Sequence, residues 1–258
     1  MSMVLRVIPL GCEDVFFTMA MDDALLQRSR EKSSRNPILR FSCLKEKSVT
    51  IGFSQREHAL TSSLDSGEVP WTRRLTGGGI VIHDGDLIFS AIFPIEAHPD
   101  FRSSRSSYRL IHRLIQSALQ SLGKDTFLKT GGCADQNLSP VQMVCFERPI
   151  CDDLMHEGKK IAGSAQRRSQ NYLLHQGSIQ VNALSLNPAE LQTTVSKSFA
   201  NNLGWENRTQ AITDEERRLG QELKEIKYQN PYWNRYGRIA SKEESPLVDG
   251  MIKEKERA

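Results

Sequence analysis

Thr72-Arg73-Arg74-Leu75-Thr76-Gly77-Gly78-Gly79-Ile80-Val81-Ile82-His83-Asp84-Gly85-Asp86-Leu87-Ile88-Phe89-Ser90-Ala91-Ile92-Phe93 is the stretch on which the fold turns. A glycine-rich turn leads into a short apolar run, an Asp-Gly-Asp turn follows, and a longer apolar run closes the stretch. An Asp-Gly turn between two apolar runs predicts a β-hairpin. Upstream, Pro37-Ile38-Leu39-Arg40-Phe41 and Ser48-Val49-Thr50-Ile51-Gly52 are short runs of strand formers separated by charged turn residues, and they read as paired strands. From Val15 to Leu26, Phe16, Met19, Ala20, Ala24 and Leu25 recur at helical spacing with Asp22 and Asp23 among them, which predicts an amphipathic helix.

Downstream, Ser106 to Leu122 carries Tyr108, Leu110, Ile111, Leu114, Ile115, Ala118 and Leu119 on one helical face, and Gly123 ends the pattern. Leu154, Ile161, Ala162 and Leu173 to Val181 suggest further strands, with Glu157-Gly158 as a tight turn and Gln166 to Asn171 as a hairpin tip. Pro188 to Phe199 and Thr213 to Tyr228 read as helices, the second capped by Thr213 or Asp214. Helix, strands, helix, strands, helices is the order of an α+β domain with a mixed, largely antiparallel sheet flanked by helices. One domain is expected over residues 1–240, with a polar tail over 241–258.

The chain has 258 residues, 38% hydrophobic and 25% charged, the composition of a folded globular protein. A net charge of +3, from 34 basic and 31 acidic residues, does not point to nucleic acid, although an acidic carrier protein is compatible with it. No run of eighteen apolar residues appears, and Met1-Ser2-Met3-Val4-Leu5-Arg6 lacks the order of a secretory signal, so no membrane partner and a cytoplasmic location are expected. Cys12, Cys43, Cys133, Cys145 and Cys151 are odd in number and lack CxxC spacing, which argues for thiols and against a metal site.

Four constellations carry chemistry. Gly77, Gly78 and Gly79 allow a ligand close to the backbone, and Arg73 and Arg74 beside them can meet phosphate or an acidic neighbour; a plain tight turn fits the same pattern. In Gly158-Lys159-Lys160-Ile161-Ala162, strand alternation sends Lys160 and Ala162 to one face and Lys159 and Ile161 to the other, so the lysines cannot share one role. A buried ammonium needs an acceptor, which an acyl carbonyl or phosphate oxygen supplies. Cys145, fifteen residues before Lys160, is a plausible thioester-forming nucleophile that a nearby ammonium activates, or else a packing residue. His175, near Gly177 at the start of an apolar strand, can orient substrate, move a proton, or be structural.

In this order the segments resemble the lipoate-protein ligase A and LipM octanoyltransferase family, within the wider biotin and lipoate ligase fold. Thr72 to Gly79 with His83 looks like its arginine and glycine motif, and Gly158 to Arg168 like its lysine motif, with Lys160 at the invariant position. Met19 to Leu26 is similar to its opening helix, and Lys227-Tyr228 with Trp233-Asn234 to its closing segment. The resemblance implies a biotin/lipoate ligase-like catalytic domain with Cys145 and Lys160 catalytic. It implies a substrate site built from Arg73, Arg74, Gly77, Gly78, Gly79, His83, Gly163, Ser164, Ala165, Gln166, His175 and Gly177. Two chemistries are open within it. An octanoyltransferase takes octanoate from acyl carrier protein through a cysteine thioester and needs no tightly bound cofactor; a lipoate ligase uses ATP and Mg. Cys145-Phe146 and Gly85 to Ser90 resemble the transferase branch, whereas Gly77-Gly78-Gly79 is the ligase-like form. In both, the acceptor is a lipoyl domain of a 2-oxoacid dehydrogenase or the glycine-cleavage H protein. The family's His commonly stands directly before the glycine, where this chain has Gln176, with His175 one place earlier. A non-catalytic binder of lipoyl groups or carrier proteins is the remaining reading.

Overall fold

The computed structural model describes residues 3–57, 60, 69–131, 146–147 and 149–239. Among these residues, one eight-stranded sheet has the order β11-β1-β2-β6-β10-β9-β8-β7, and a three-stranded sheet the order β4-β3-β5. The large sheet comprises β1 (Val4–Glu13), β2 (Ile38–Leu44), β6 (Leu87–Pro94), β7 (Phe127–Leu128), β8 (Leu154–His156), β9 (Lys159–Ser169), β10 (Tyr172–Ile179) and β11 (Glu206–Thr209). The small sheet comprises β3 (Ser48–Ile51), β4 (Trp71–Arg73) and β5 (Val81–His83). Pairing from β2 through β6, β10, β9 and β8 to β7 is antiparallel, while β1 runs parallel to both β2 and β11. This is the mixed, largely antiparallel α+β architecture expected. No helix of the described residues is long and apolar enough to cross a membrane.

Period-two alternation divides the core. On one face of the large sheet Phe41, Phe89, Phe93 and Leu173 meet Ile111, Ile115 and Leu119 of α2 (Ser104–Ser121) and Val195 and Phe199 of α4 (Pro188–Leu203). On the other face Ile38, Ile92 and Leu174 meet Met21 and Leu25 of α1 (Val15–Glu31). A short helix α3 (Val181–Leu184) follows β10, and α5 (Asp214–Leu223) and α6 (Pro231–Tyr236) complete the order. Thr213 caps α5 in a reciprocal capping box with Glu216. Helix α1 is buried on most sides rather than amphipathic, because α5 covers its outer face: a Cβ on Gly220 would lie 2.2 Å from Met21 Sδ.

Both expected strand pairings in the first third are corrected. β5 and β6 do not form a hairpin; β5 pairs with β3, and β6 lies between β2 and β10. The Asp84-Gly85-Asp86 turn therefore carries the chain from the small sheet to the large one. Its Asp86 is buried, bonded to His83 of β5 and to Ser178 of β10, so it anchors the crossing instead of facing solvent. β2 and β3 likewise part, since β2 takes β6 as its neighbour. That choice is sealed by Asp22 of α1, fully buried, which accepts from Arg40 of β2 at 2.8 Å and Ser90 of β6 at 2.6 Å. The Glu157-Gly158 turn is as expected, with positive φ at both residues. The tip expected at Gln166 to Asn171 narrows to Gln170 and Asn171, as β9 continues to Ser169. Cys12 and Cys43 are free, as expected of most of the cysteines, whereas Cys151 is disulfide-bonded. The 241–258 tail lies outside the described residues.

Arg73 holds the small sheet to the end of the described chain. Its buried guanidinium donates to the carbonyls of Gly52, Phe53 and Gln55 on one side and of Trp233, Asn234 and Arg235 on the other. Six carbonyls satisfy one cation, and no lysine presents five donors in a plane. Arg73→Lys is expected to lower the unfolding free energy by roughly 2 to 4 kcal/mol, because several buried carbonyls lose their donor. Urea denaturation of the two proteins measures this, and an unchanged midpoint would show that the guanidinium is dispensable.

Candidate active site

The glycine turn and the lysine motif meet in a narrow cleft between the two sheets. Arg74 and Gly78 line it from one motif, and Gly163, Ser164 and Ala165 of β9 from the other, with Gly177 of β10 between. Met19, Val81 and Ile88 give it apolar walls. Gly78 adopts φ +84°, and a Cβ there would lie 3.1 Å from Arg74 Nη2 and 3.4 Å from Ala165 Cβ. The turn is shaped from inside by Arg74, which donates to the carbonyls of Gly77 at 2.5 Å and Gly79 at 2.8 Å and to Thr50 O at 3.2 Å. With those carbonyls turned inward, the amides of Gly77, Gly78 and Gly79 donate to no acceptor among the described residues. They are available to an incoming oxygen.

A buried polar chain backs the cleft. His83 lies with Nε2 3.0 Å from Thr50 Oγ1 and Nδ1 2.7 Å from Asp86 Oδ2, and Ser178 donates to the same carboxylate. Burial pushes the Asp86 carboxyl up, but His83 and the bonds from His83 and Ser178 outweigh it and hold it below the usual carboxylate value. Gln176, also on the cleft face, donates to Asp22 at 2.7 Å and accepts from Thr76 at 2.9 Å, tying the glycine turn to α1.

Lys160 is buried and Lys159 exposed. The strand is covered on both faces here, since Ile161 is buried as well. The Lys160 ammonium is 2.8 Å from Asp153 Oδ2 and 5.6 Å from the ring centroid of Phe146. Asp153, fully buried, also accepts from Tyr108 Oη at 2.5 Å and from the Ile150 amide at 2.7 Å. Next to it, the carbonyl of Asp152 accepts from His112 Nδ1 at 2.7 Å, leaving His112 Nε2 to accept from Ser164 Oγ at 2.6 Å. Burial lowers His112 to about 4, so it is neutral. Lys160 is thus joined to the cleft residue Ser164 through Asp153, the Asp152 backbone and His112, although it is not itself among the residues lining the cleft.

The expected site residues therefore divide. Arg74, Gly78, His83, Gly163, Ser164, Ala165 and Gly177 line the cleft, with Gly77 and Gly79 in the adjoining turn. Arg73 is spent on carbonyls. Gln166 and His175 lie on the opposite face, under α2: Gln166 accepts from Ser107 at 3.0 Å and donates to His175 Nδ1 at 2.9 Å. Burial holds His175 well below its ordinary value, and its Nε2 has no partner among the described residues. Cys145 lies outside the described residues. Sequence reasoning missed Asp153, Tyr108, His112 and Asp86; the Asp152-Asp153 doublet six residues before Lys159 was the one local signal for them.

The family model described as Lipoyl protein ligase A/B catalytic domain matches residues 14–223. A Staphylococcus aureus protein named Octanoyltransferase LipM is 36% identical over 178 residues, covering 66% of this chain and 63% of the relative. Octanoyltransferase LipM of Brevibacillus brevis is 29% identical over 258 residues, covering 84% of this chain and 93% of that one. In fold, the chain is similar to a crystal structure of lipoate-protein ligase A bound with ATP, with TM-score 0.67, 22% identity, and coverage of 92% of this chain and 99% of the other.

His112 gives the region a defined pH response. Its folded value of about 4 lies below the ordinary 6.5, so the unfolded chain binds the extra proton first. Stability from this group is present above about pH 6.5 and is lost as pH falls toward 4, by roughly 3 kcal/mol in all. His175 acts in the same direction. His112→Asn is expected to reduce the slope of unfolding free energy against pH between 4 and 6.5 by up to one proton. Parallel slopes for the two proteins would refute the assignment.

Proposed function

This chain belongs to the lipoyl protein ligase A/B catalytic-domain family, and from that premise we propose that it transfers an octanoyl group from acyl carrier protein to one lysine of a lipoyl domain. The observation that carries the reading is the setting of Lys160: a buried ammonium held by Asp153 at 2.8 Å, with Phe146, the residue after Cys145, 5.6 Å away.

In the proposed reaction the Cys145 thiol gives up its proton as its sulfur attacks the donor thioester, the carbonyl carbon to carrier sulfur bond breaks, the carrier sulfur takes up that proton and leaves as a thiol, and an octanoyl-cysteine thioester forms. The acceptor lysine amine then attacks that carbonyl, an amide forms, and the Cys145 sulfur leaves and is reprotonated. Thioester exchange is nearly balanced in energy, so no ATP enters. Charge develops on the carbonyl oxygen in each half, and Lys160, kept in place by Asp153, is the cation that meets it. The narrow cleft with Met19, Val81 and Ile88 in its walls suits an unbranched acyl chain. The amides of Gly77 to Gly79 suit its polar end.

The other chemistry, with ATP and Mg, finds the same glycine amides but less cation. Arg74, the one guanidinium among the described cleft-lining residues, is already bonded to carbonyls. The acceptor expected is a lipoyl domain of a 2-oxoacid dehydrogenase or the glycine-cleavage H protein, in the cytoplasm, and the catalytic unit is residues 1–240.

Octanoyl carrier and a lipoyl domain, mixed without ATP and with a reductant because Cys151 is disulfide-bonded, should give an octanoylated lipoyl domain by mass. Cys145→Ser should abolish the transfer and a hydroxylamine-labile adduct on the enzyme. Lys160→Ala should slow transfer about 100-fold to 1,000-fold, and Lys159→Ala should not. Full activity of Cys145→Ser together with a strict need for ATP and lipoate would establish the ligase chemistry instead.

A further inference from the structure

The net charge of the chain is nearly balanced, yet no Asp or Glu occurs between Asp100 and Asp125. Within that span Arg102 ends the short helical turn Pro99–Arg102 just before α2, and Arg105, Arg109 and Arg113 of α2 recur at the four-residue spacing that places them in one row. Helix α2 buries Ile111, Leu114, Ile115 and Leu119 on its inner side, so this row faces out. Arg102, Arg105 and Arg113 are exposed and make no ion pair among the described residues; Arg109 pairs with Asp152 at 2.9 Å. Arg105, Arg109 and Arg113 border a shallow groove in which Asp100 is the one carboxylate. Arg168 of β9 extends the patch, bonded to Ser104 and Ser107 of α2.

The row touches the site. Tyr108, one residue before Arg109, bonds Asp153, and Asp153 holds Lys160. Whatever docks on the outer side of this helix turn therefore sits beside the lysine end of the site. From Arg105 to Arg113 the row runs roughly 12 Å, at a rise of about 1.5 Å per residue. Guanidiniums one turn apart along a single straight helix match carboxylates one turn apart on an opposing helix.

We propose that the outer face of α2, centred on Arg105, Arg109 and Arg113, is the docking surface for an acidic helix of the acyl donor's carrier protein, delivering its thioester to the Lys160 end of the site. This rests on the functional reading above, in which the donor is a carrier protein. Arg105 and Arg113, which make no ion pair among the described residues, attract an acidic partner from a distance and fix its register, an effect that salt weakens.

The test is the double variant Arg105→Glu, Arg113→Glu, which leaves the Arg109 to Asp152 pair in place; a melting curve checks that it folds. The KM for octanoyl carrier protein should rise about 10-fold or more, while kcat and KM with octanoyl-pantetheine, which lacks the carrier, and the KM for the lipoyl domain stay unchanged. An unchanged KM for the carrier overturns the proposal. So does a rise confined to the lipoyl domain, which would assign the face to the acceptor, or an equal loss with octanoyl-pantetheine, which would mean damage to the site. If the wild-type protein turns over no carrier donor, the functional reading has failed, and titration of the apo carrier decides the surface alone. Salt-sensitive binding by the wild type but not the double variant supports it, and no binding by the wild type overturns it.

Discussion

Two guanidiniums turned inward, with carbonyl oxygens rather than carboxylates as their main partners, set the shape on which the cleft depends. Arg73 collects carbonyls from the chain after β3 and from the last turn of the closing helix α6. Arg74 collects those of Gly77 and Gly79. A buried cation is tolerated only where its donors are met, and carbonyl dipoles can meet them only if the backbone bends around the side chain. The bend is made by residues without Cβ: a Cβ on Gly52 would lie 2.1 Å from Gly78 O, and Gly78 itself sits at φ +84°. The glycines and the arginines of the motif are therefore one device, in which the carbonyls point in and the amides are left facing out.

The large sheet separates two polar systems. On the α1 side, Asp22 gathers Arg40, Ser90 and Gln176, and with them three adjacent strands, under the cleft. On the α2 side, Tyr108, His112, Gln166 and His175 form a second set of buried hydrogen bonds, with Lys160 and Asp153 at its end. Ser164 joins them, since it lines the cleft while donating to His112. The imidazole that sequence offered as a proton carrier, His175, belongs to the second system, whereas the residue that faces the cleft is its neighbour Gln176.

What could be read in the sequence was what local spacing determines. Helix α2 has its apolar residues on one face and a glycine stop, and the Glu157-Gly158 turn fixes the register of β8 and β9, hence the burial of Lys160 rather than Lys159. What could not be read was the choice of partner over long separations. β11 is four exposed residues with no alternation, a strand only because β1 lies beside it in parallel some two hundred residues away. The apolar runs that become β5 and β6 look like a hairpin because nothing local says that Ser178 will capture Asp86. The Asp152-Asp153 doublet hinted at Asp153 as a partner for Lys160, but nothing local joins Asp153 to Tyr108 or His112 to Ser164, which lie 45 and 52 residues apart in sequence.

Gly177 of β10 lines the cleft. A Cβ there would stand 2.4 Å from two carbons of the Phe89 ring and 2.9 Å from Ser164 Cβ, so strand β10 is packed against its neighbours on both sides with no spare volume. In evolutionary terms this locks three positions to one another. A lineage that enlarges residue 177 must first trim residue 89, and trimming 89 alone opens a void in the aromatic core beneath the sheet, where Phe89 is fully buried. The route from glycine to any larger residue at this point passes through a less stable intermediate, which holds stepwise change back.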